Sequence, residues 1–157
     1  LNYKVILRPH PEHYKREKSI IKNYENLKQT NKNFVLDTSD NNITSMNKSD
    51  ILITDCSGIA PEFLFTYKRP IIYFDKYSKI HNNNFDAIQL PVFEDVVKNQ
   101  FGYIPSDQLN YNNDFILDAK KKFELSKDVI DIFAKKNFYN FQNSVQKHIN
   151  LLLEQVD

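Results

Sequence analysis

The stretch Lys48–Asp75, KSDILITDCSGIAPEFLFTYKRPIIYFD, reads as one continuous strand, turn, helix and strand. Ile51, Leu52 and Ile53 form a short apolar run of the kind shown by a strand buried on both faces. Thr54, Asp55, Cys56, Ser57 and Gly58 come next, small or polar residues that let the backbone turn sharply. A helix begins near Ile59, where Pro61 suits the first turn because its missing N–H would have had no intrahelical partner. Tyr67-Lys68-Arg69-Pro70 closes that helix, and Ile71 to Phe74 supply the next strand. Free N–H groups and the positive end of the helix dipole would then face whatever sits over Ser57 and Gly58, an arrangement that suits the phosphate of a nucleotide.

Upstream, Tyr3 to Leu7 reads as a first buried strand, and the two prolines of Arg8-Pro9-His10-Pro11 predict an extended turn rather than a helix. A helix from about Tyr14 to Leu27 is expected next, then a strand over Phe34 to Leu36 and a short helix around Ile43 to Asn47. Four short apolar strands separated by helices predict an α/β fold with a Rossmann-like parallel sheet and right-handed crossovers. Downstream the pattern weakens, and residues 76–111 read as an irregular loop region. Residues 112–157 return to helical periodicity, with helices expected over Asp114 to Leu125, from Ser126 or Lys127 to about Lys136, and over Asn140 to Val156. No internal repeat is visible, so residues 1–157 are read as a single domain.

Composition bounds the partners. Lysine and arginine number 21 against 20 acidic residues, a formal net charge of +1, which gives no global argument for nucleic acid. The one cysteine, Cys56, excludes an internal disulfide and suits a reducing cytoplasm. CxxC, HExxH and histidine clusters with metal spacing are absent, so no protein metal site is visible and no cofactor is expected besides a donor substrate, while a divalent ion chelated by a diphosphate would leave no trace in the sequence. No apolar run approaches the roughly 20 residues of a membrane-spanning helix. The start at Leu1, entering a strand almost at once, reads as a piece of a longer protein that is cytoplasmic or peripheral at the inner face of the membrane.

Ligands of open α/β sheets bind beyond the carboxyl ends of the strands. Arg8 to His10, Thr54 to Gly58, and Asp75 with the residues after it occupy such places, so Arg8, His10, Ser57 and Gly58 are expected to meet one anion, best a diphosphate. His10 reads equally as a turn histidine packed between Pro9 and Pro11. Asp55 reads first as a cap or brace of the turn after the strand. Glu62, on the first helical turn, favours the dipole whatever its task, and is a candidate acceptor for ribose hydroxyls. Cys56 reads as a structural thiol, His13, His81 and His148 as surface or core residues, and Lys120-Lys121-Lys122 as a solvated helix face. Phe133, Phe138 and Phe141 read with Leu151 to Leu153 as packing.

Two of these segments together resemble the CDP-glycerol glycerophosphotransferase family, enzymes of wall teichoic acid and capsule polymer synthesis. Arg8-Pro9-His10-Pro11 is similar to that family's RxHP turn, and Ser49 to Gly58 resembles its SDxxITDYSS segment. Glu62-Phe63 falls where the family has Asp-Phe, and Lys68 to Tyr73 resembles its KPIIFY strand. The resemblance implies the carboxyl-terminal, donor-binding half of a GT-B enzyme, with a CDP-linked donor such as CDP-glycerol and a surface-polymer or lipid-linked acceptor. His10 and Arg8 would then serve the transfer, while Thr54, Asp55, Ser57, Gly58, Ile59 and Glu62 would hold the donor. The acceptor hydroxyl would attack the donor's β-phosphorus and CMP would leave, the base lying in an amino-terminal domain of the same enzyme. Cys56 in place of tyrosine and Gly58 in place of the second serine depart from the pattern. A Ser-Gly turn followed by glutamate is also similar to UDP-N-acetylglucosamine 2-epimerases, which keeps a UDP-sugar enzyme as an alternative. A non-catalytic α/β module is the third reading.

Overall fold

Short apolar runs pair in parallel wherever a helix returns the chain to its starting side, and this happens twice. The structure, a computed structural model, describes residues 3–74, 84–87, 90–106, 114–138 and 140–154. Two compact units make up the chain, Leu1–Ser49 and Asp50–Asp157.

In the first unit, β1 (Val5–Leu7) pairs in parallel with β2 (Phe34–Leu36), Val5 opposite Phe34 and Leu7 opposite Leu36. Between them the chain forms α1 (Pro11–Arg16) and α2 (Lys18–Thr30), and α3 (Ile43–Lys48) comes after β2. The expected single helix from Tyr14 is thus two, broken where Glu17 takes φ −129° and ψ 56°. The prolines act differently from expectation too. Arg8-Pro9-His10 is extended, but Pro11 opens α1, because its fixed φ is already helical and His10 caps the N-terminus. Among the described residues of this unit, Ile21, Leu36 and Met46 are buried, together with Pro9.

Asp37, directly after β2, ties the carboxyl ends of the two strands together. Its Oδ2 accepts from Arg8 Nη1 at 2.9 Å and from the Ser45 hydroxyl at 2.5 Å, while Oδ1 accepts from the Ser39 hydroxyl at 2.6 Å and the Ser39 N–H at 2.9 Å. The Arg8 guanidinium also donates from Nη2 to the Ser39 carbonyl at 2.7 Å. Partial burial would raise the carboxyl's pKa, but the donors from Ser39, Ser45 and Arg8 outweigh it and hold the group far below the usual carboxylate range.

In the second unit, β3 (Leu52–Thr54) pairs in parallel with β4 (Ile71–Tyr73), joined by α4 (Ile59–Tyr67). Lys68 ends α4 in the left-handed conformation at φ 52°, its N–H returning to the Leu64 carbonyl. β3 alternates along its length because α4 covers one face, so Ile53 is 54 % exposed rather than buried on both faces. All of β4 is buried. Among the described residues the four strands form two separate two-stranded sheets.

The region expected to be an irregular loop contains a 3-10 turn at Phe85–Ala87 and a regular helix, α5 (Phe93–Phe101). Phe93, Val97 and Phe101 repeat every four residues, a helical signal hidden by the nearby prolines. Immediately after α5, Tyr103 pairs with β4, accepting from the Tyr73 N–H at 2.8 Å and donating to the Ile71 carbonyl at 2.9 Å. The next element, α6 (Asp114–Asn137), is one helix of 24 residues instead of two. Ser126 does not open a second helix there, because its hydroxyl donates back to the Lys122 carbonyl at 2.7 Å. A final helix, α7, covers Ser144–Leu153, shorter than the expected Asn140 to Val156. Helices α4, α5 and α6 share a core with β4 that includes Phe63, Leu64, Ile71, Ile72, Tyr73, Val97 and Ile130.

The packing in each unit has a measurable consequence. A Cβ on Gly102 would run into the Tyr73 ring and meet the Lys98 carbonyl at 2.8 Å. Gly102→Ala should therefore cost about 1–3 kcal/mol by denaturant unfolding; an unchanged midpoint would contradict the packing. For Asp37, a folded-state pKa below the unfolded value means stability that is full above about 4 and lost as pH falls further, since the unfolded chain then takes up the proton first. Asp37→Asn should lose about 2 kcal/mol at neutral pH and flatten the acid limb of the stability curve. An acid limb that is the same in the wild type and the variant would refute the network.

Candidate functional site

The turn between β3 and α4 is shaped by its own backbone. Ser57 N–H donates to the Asp55 carbonyl at 2.9 Å, and Ala60 N–H donates to the Ser57 carbonyl at 3.1 Å. Those bonds leave the N–H groups of Gly58 and Ile59 without a partner among the described residues, at the amino end of a nine-residue helix. The Ser57 hydroxyl, half-buried, also makes no hydrogen bond there. Two backbone donors, one hydroxyl and the dipole of α4 thus meet at one place, the chemistry of an anion seat.

Gly58 caps α4 with helical angles, φ −59° and ψ −17°, so no positive φ requires glycine. A Cβ there would meet only Glu94 Oε1, at 4.0 Å. The position therefore has room for the serine of the family pattern. Asp55 braces the turn through its carbonyl rather than its side chain, whose carboxylate is exposed and only 3.5 Å from the Thr54 hydroxyl. Glu62 stands on the first turn of α4, exposed and without a hydrogen bond among the described residues.

Sequence reading missed what lies beside this turn. The Cys56 thiol donates to Asp95 Oδ1 at 3.2 Å, and Lys98 pairs with the same oxygen at 3.3 Å. The turn is thereby fastened to the first turn of α5, which brings Glu94 and Asp95 close by. Tyr73 is fully buried, and its hydroxyl has no hydrogen-bond partner among the described residues. Burial first, and then the neighbouring acidic groups, Glu94 and Asp95 among them, push that phenol's pKa well above its usual value, so it stays a neutral donor. The acidic start of α5 carried a signal, Glu94-Asp95 ahead of an apolar repeat. The placement of the Tyr73 hydroxyl carried none.

The first unit holds the other predicted residues. Arg8 is committed to Asp37 and Ser39, so in this structure it acts as a strand-end clasp. His10 is exposed and caps α1, its Nδ1 accepting from the Glu12 N–H at 3.2 Å. That bond fixes the proton on Nε2 in the neutral ring, leaving Nε2–H as the outward donor. His13 stands edge-on to His10, ring centroids 6.4 Å apart, with its own Nδ1 buried and unpartnered among the described residues. Asp75 and His81 lie outside the described residues. Among the described residues no group of three metal-ligating side chains occurs.

Residues 1–138 match the family model described as CDP-Glycerol:Poly(glycerophosphate) glycerophosphotransferase. No curated protein and no solved structure matches the chain. Both the Arg8-Pro9-His10-Pro11 turn and the Ser57 turn fall inside the matched span, which takes in all but the last part of the 157 residues. The chain belongs to the CDP-glycerol:poly(glycerophosphate) glycerophosphotransferase family.

Proposed function

We propose that this chain is the donor-binding part of a GT-B transferase that moves glycerol phosphate, or a related polyol or sugar phosphate, from a CDP-linked donor to a cell-surface polymer. The observation that carries the reading is the pair of open N–H groups at Gly58 and Ile59, beside the Ser57 hydroxyl, in a family whose donor carries a diphosphate. The diphosphate sits over this turn, Thr54 and Asp55 shape it, and Glu62 takes the ribose hydroxyls. His10, through Nε2–H, is assigned to the transfer itself, in which charge on the leaving CMP has to be neutralised, and Arg8 serves the transfer by holding the segment that carries His10. Acceptor attack on the β-phosphorus forms the new P–O bond as the bond to CMP breaks. Its proton passes to a base outside this chain, so the chain binds donor without turning it over. The acceptor is a teichoic-acid or capsule polymer or its lipid-linked primer, met at the inner face of the membrane.

Glu94 makes the seat less favourable than its donors alone would. Its carboxylate stands near Gly58, where like charge opposes an incoming phosphate.

Calorimetric titration of the protein with CDP, UDP and inorganic pyrophosphate tests this reading. Ser57→Ala should weaken CDP and pyrophosphate about ten-fold, the worth of a hydrogen bond to a charged group. Glu94→Gln should tighten both several-fold, less so in high salt. A preference for UDP over CDP would move the assignment to a UDP-sugar enzyme. No binding of any of the three would leave a non-catalytic α/β module.

A further inference from the structure

Helix α7 buries none of its residues. Val145, Ile149 and Leu152 follow one another at i, i+4 and i+7, and Leu153 stands beside them, so four aliphatic side chains share one face. Their exposures are 73, 44, 52 and 62 % in that order. Leu151 to Leu153, expected from the sequence to pack with Phe133, Phe138 and Phe141, are thus exposed instead. Gln146 and Asn150 lie on another side of the helix, where the Gln146 amide donates to Asn150 Oδ1 at 3.0 Å.

The turn ahead of α7 is fixed to the body of the unit. Phe138 meets Phe65 edge-on at 5.0 Å and Phe93 edge-on at 5.4 Å, and Phe141 stacks on Phe138 at 5.8 Å. The aromatic core ends at this turn and leaves the helix beyond it with an uncovered apolar face. A helix of ten residues is marginal in water on its own, so it gains stability from a surface that covers that face.

Charge identifies the surface. Residues 132–153 are the longest stretch of the chain without an acidic residue, and they contain Lys135, Lys136 and Lys147. None of these three lysines makes an ion pair among the described residues, whereas Lys121 and Lys127, earlier on α6, pair with Asp118 and Glu124. An exposed aliphatic face joined to unpaired cations matches a layer that is apolar inside and anionic at its surface.

We propose that α7 docks this chain onto an anionic phospholipid bilayer, lying in the plane of the surface. Val145, Ile149, Leu152 and Leu153 enter the upper acyl layer, and Lys135, Lys136 and Lys147 reach headgroup phosphates on their flexible stems. No helix among the described residues is long and apolar enough to cross a membrane, so the contact is with one leaflet. A second copy of the chain suits the face less well. Ten residues span about 15 Å, too little to bury the roughly 800 Å² per partner of a stable protein interface. A second α7, Ser144–Leu153, also has no carboxylate to meet these lysines. The inference goes beyond the donor reading and does not depend on it, since the contact needs no nucleotide.

Flotation of the whole chain with vesicles of phosphatidylglycerol mixed with phosphatidylcholine, beside vesicles of phosphatidylcholine alone, tests the proposal. The wild type should float with the anionic vesicles far more than with the neutral ones, and high salt should release it. Ile149→Ser with Leu152→Ser should cut binding by about ten-fold or more. Lys135→Gln with Lys136→Gln should remove most of the preference for anionic lipid. All four positions are exposed, so the denaturant midpoint of both variants should match the wild type. The chain has no tryptophan, so Leu152→Trp supplies a single emission probe that should shift to the blue on anionic vesicles. A wild type that does not float with anionic vesicles would overturn the proposal. So would flotation that leaves the Trp emission unmoved or is undiminished in the double serine variant. A dimer in sedimentation velocity that the serine variant dissociates, with no flotation, would assign the face to a second copy.

Discussion

Burial of α4 is the constraint on which the second unit depends. Five of its nine residues, Ala60, Pro61, Phe63, Leu64 and Phe65, are buried. A helix so apolar cannot turn or slide without exposing Phe63, Leu64 and Phe65, whose side chains each contribute about 1.5–3 kcal/mol by leaving water. Its direction is therefore fixed by β3 and by α5 and α6, which pack around it. The amino end then opens where β3 stops, and Pro61 adds no donor to it. What looks like a binding feature, two N–H groups at Gly58 and Ile59 with nothing to bond among the described residues, results from how the body of the helix must lie.

Electrostatics refine that seat. The Cys56 to Asp95 hydrogen bond fastens the turn to α5, and Lys98 offsets one of the two carboxylates brought near. Glu94 remains, so the seat suits a ligand that supplies several acceptor oxygens and binds through directed hydrogen bonds rather than through net charge. The first unit is organised differently. There the strand ends are held by a carboxylate with four donors, and the arginine of the RPHP turn is one of the four. In this structure Arg8 positions the segment that carries His10, and His10 in turn caps α1.

Much of this was legible in the sequence, for a physical reason. Short apolar runs bounded by turn residues carry their structure locally, so β2, β3, β4, the Ser57 turn and α4 could be read within a residue or two. The RPHP turn and the SDILITDCSG segment also pointed to the family whose model matches residues 1–138. Features that depend on distant partners were not legible. Nothing local to Arg8 tells that Asp37, 29 residues on, will claim it. Ser126 looks like a helix start until its hydroxyl is seen returning to Lys122. Helix α5 was hidden because its apolar residues are largely aromatic and lie between Pro91 and Pro105, where the eye reads loop.

The central claim is that a diphosphate sits on the open amino end of α4. Its most direct test is the amide spectrum of the isotopically labelled protein titrated with CDP. The account predicts that the Gly58 and Ile59 N–H resonances move furthest and downfield, as new hydrogen bonds to phosphate oxygens form. CDP bound with both of those resonances unmoved would contradict it.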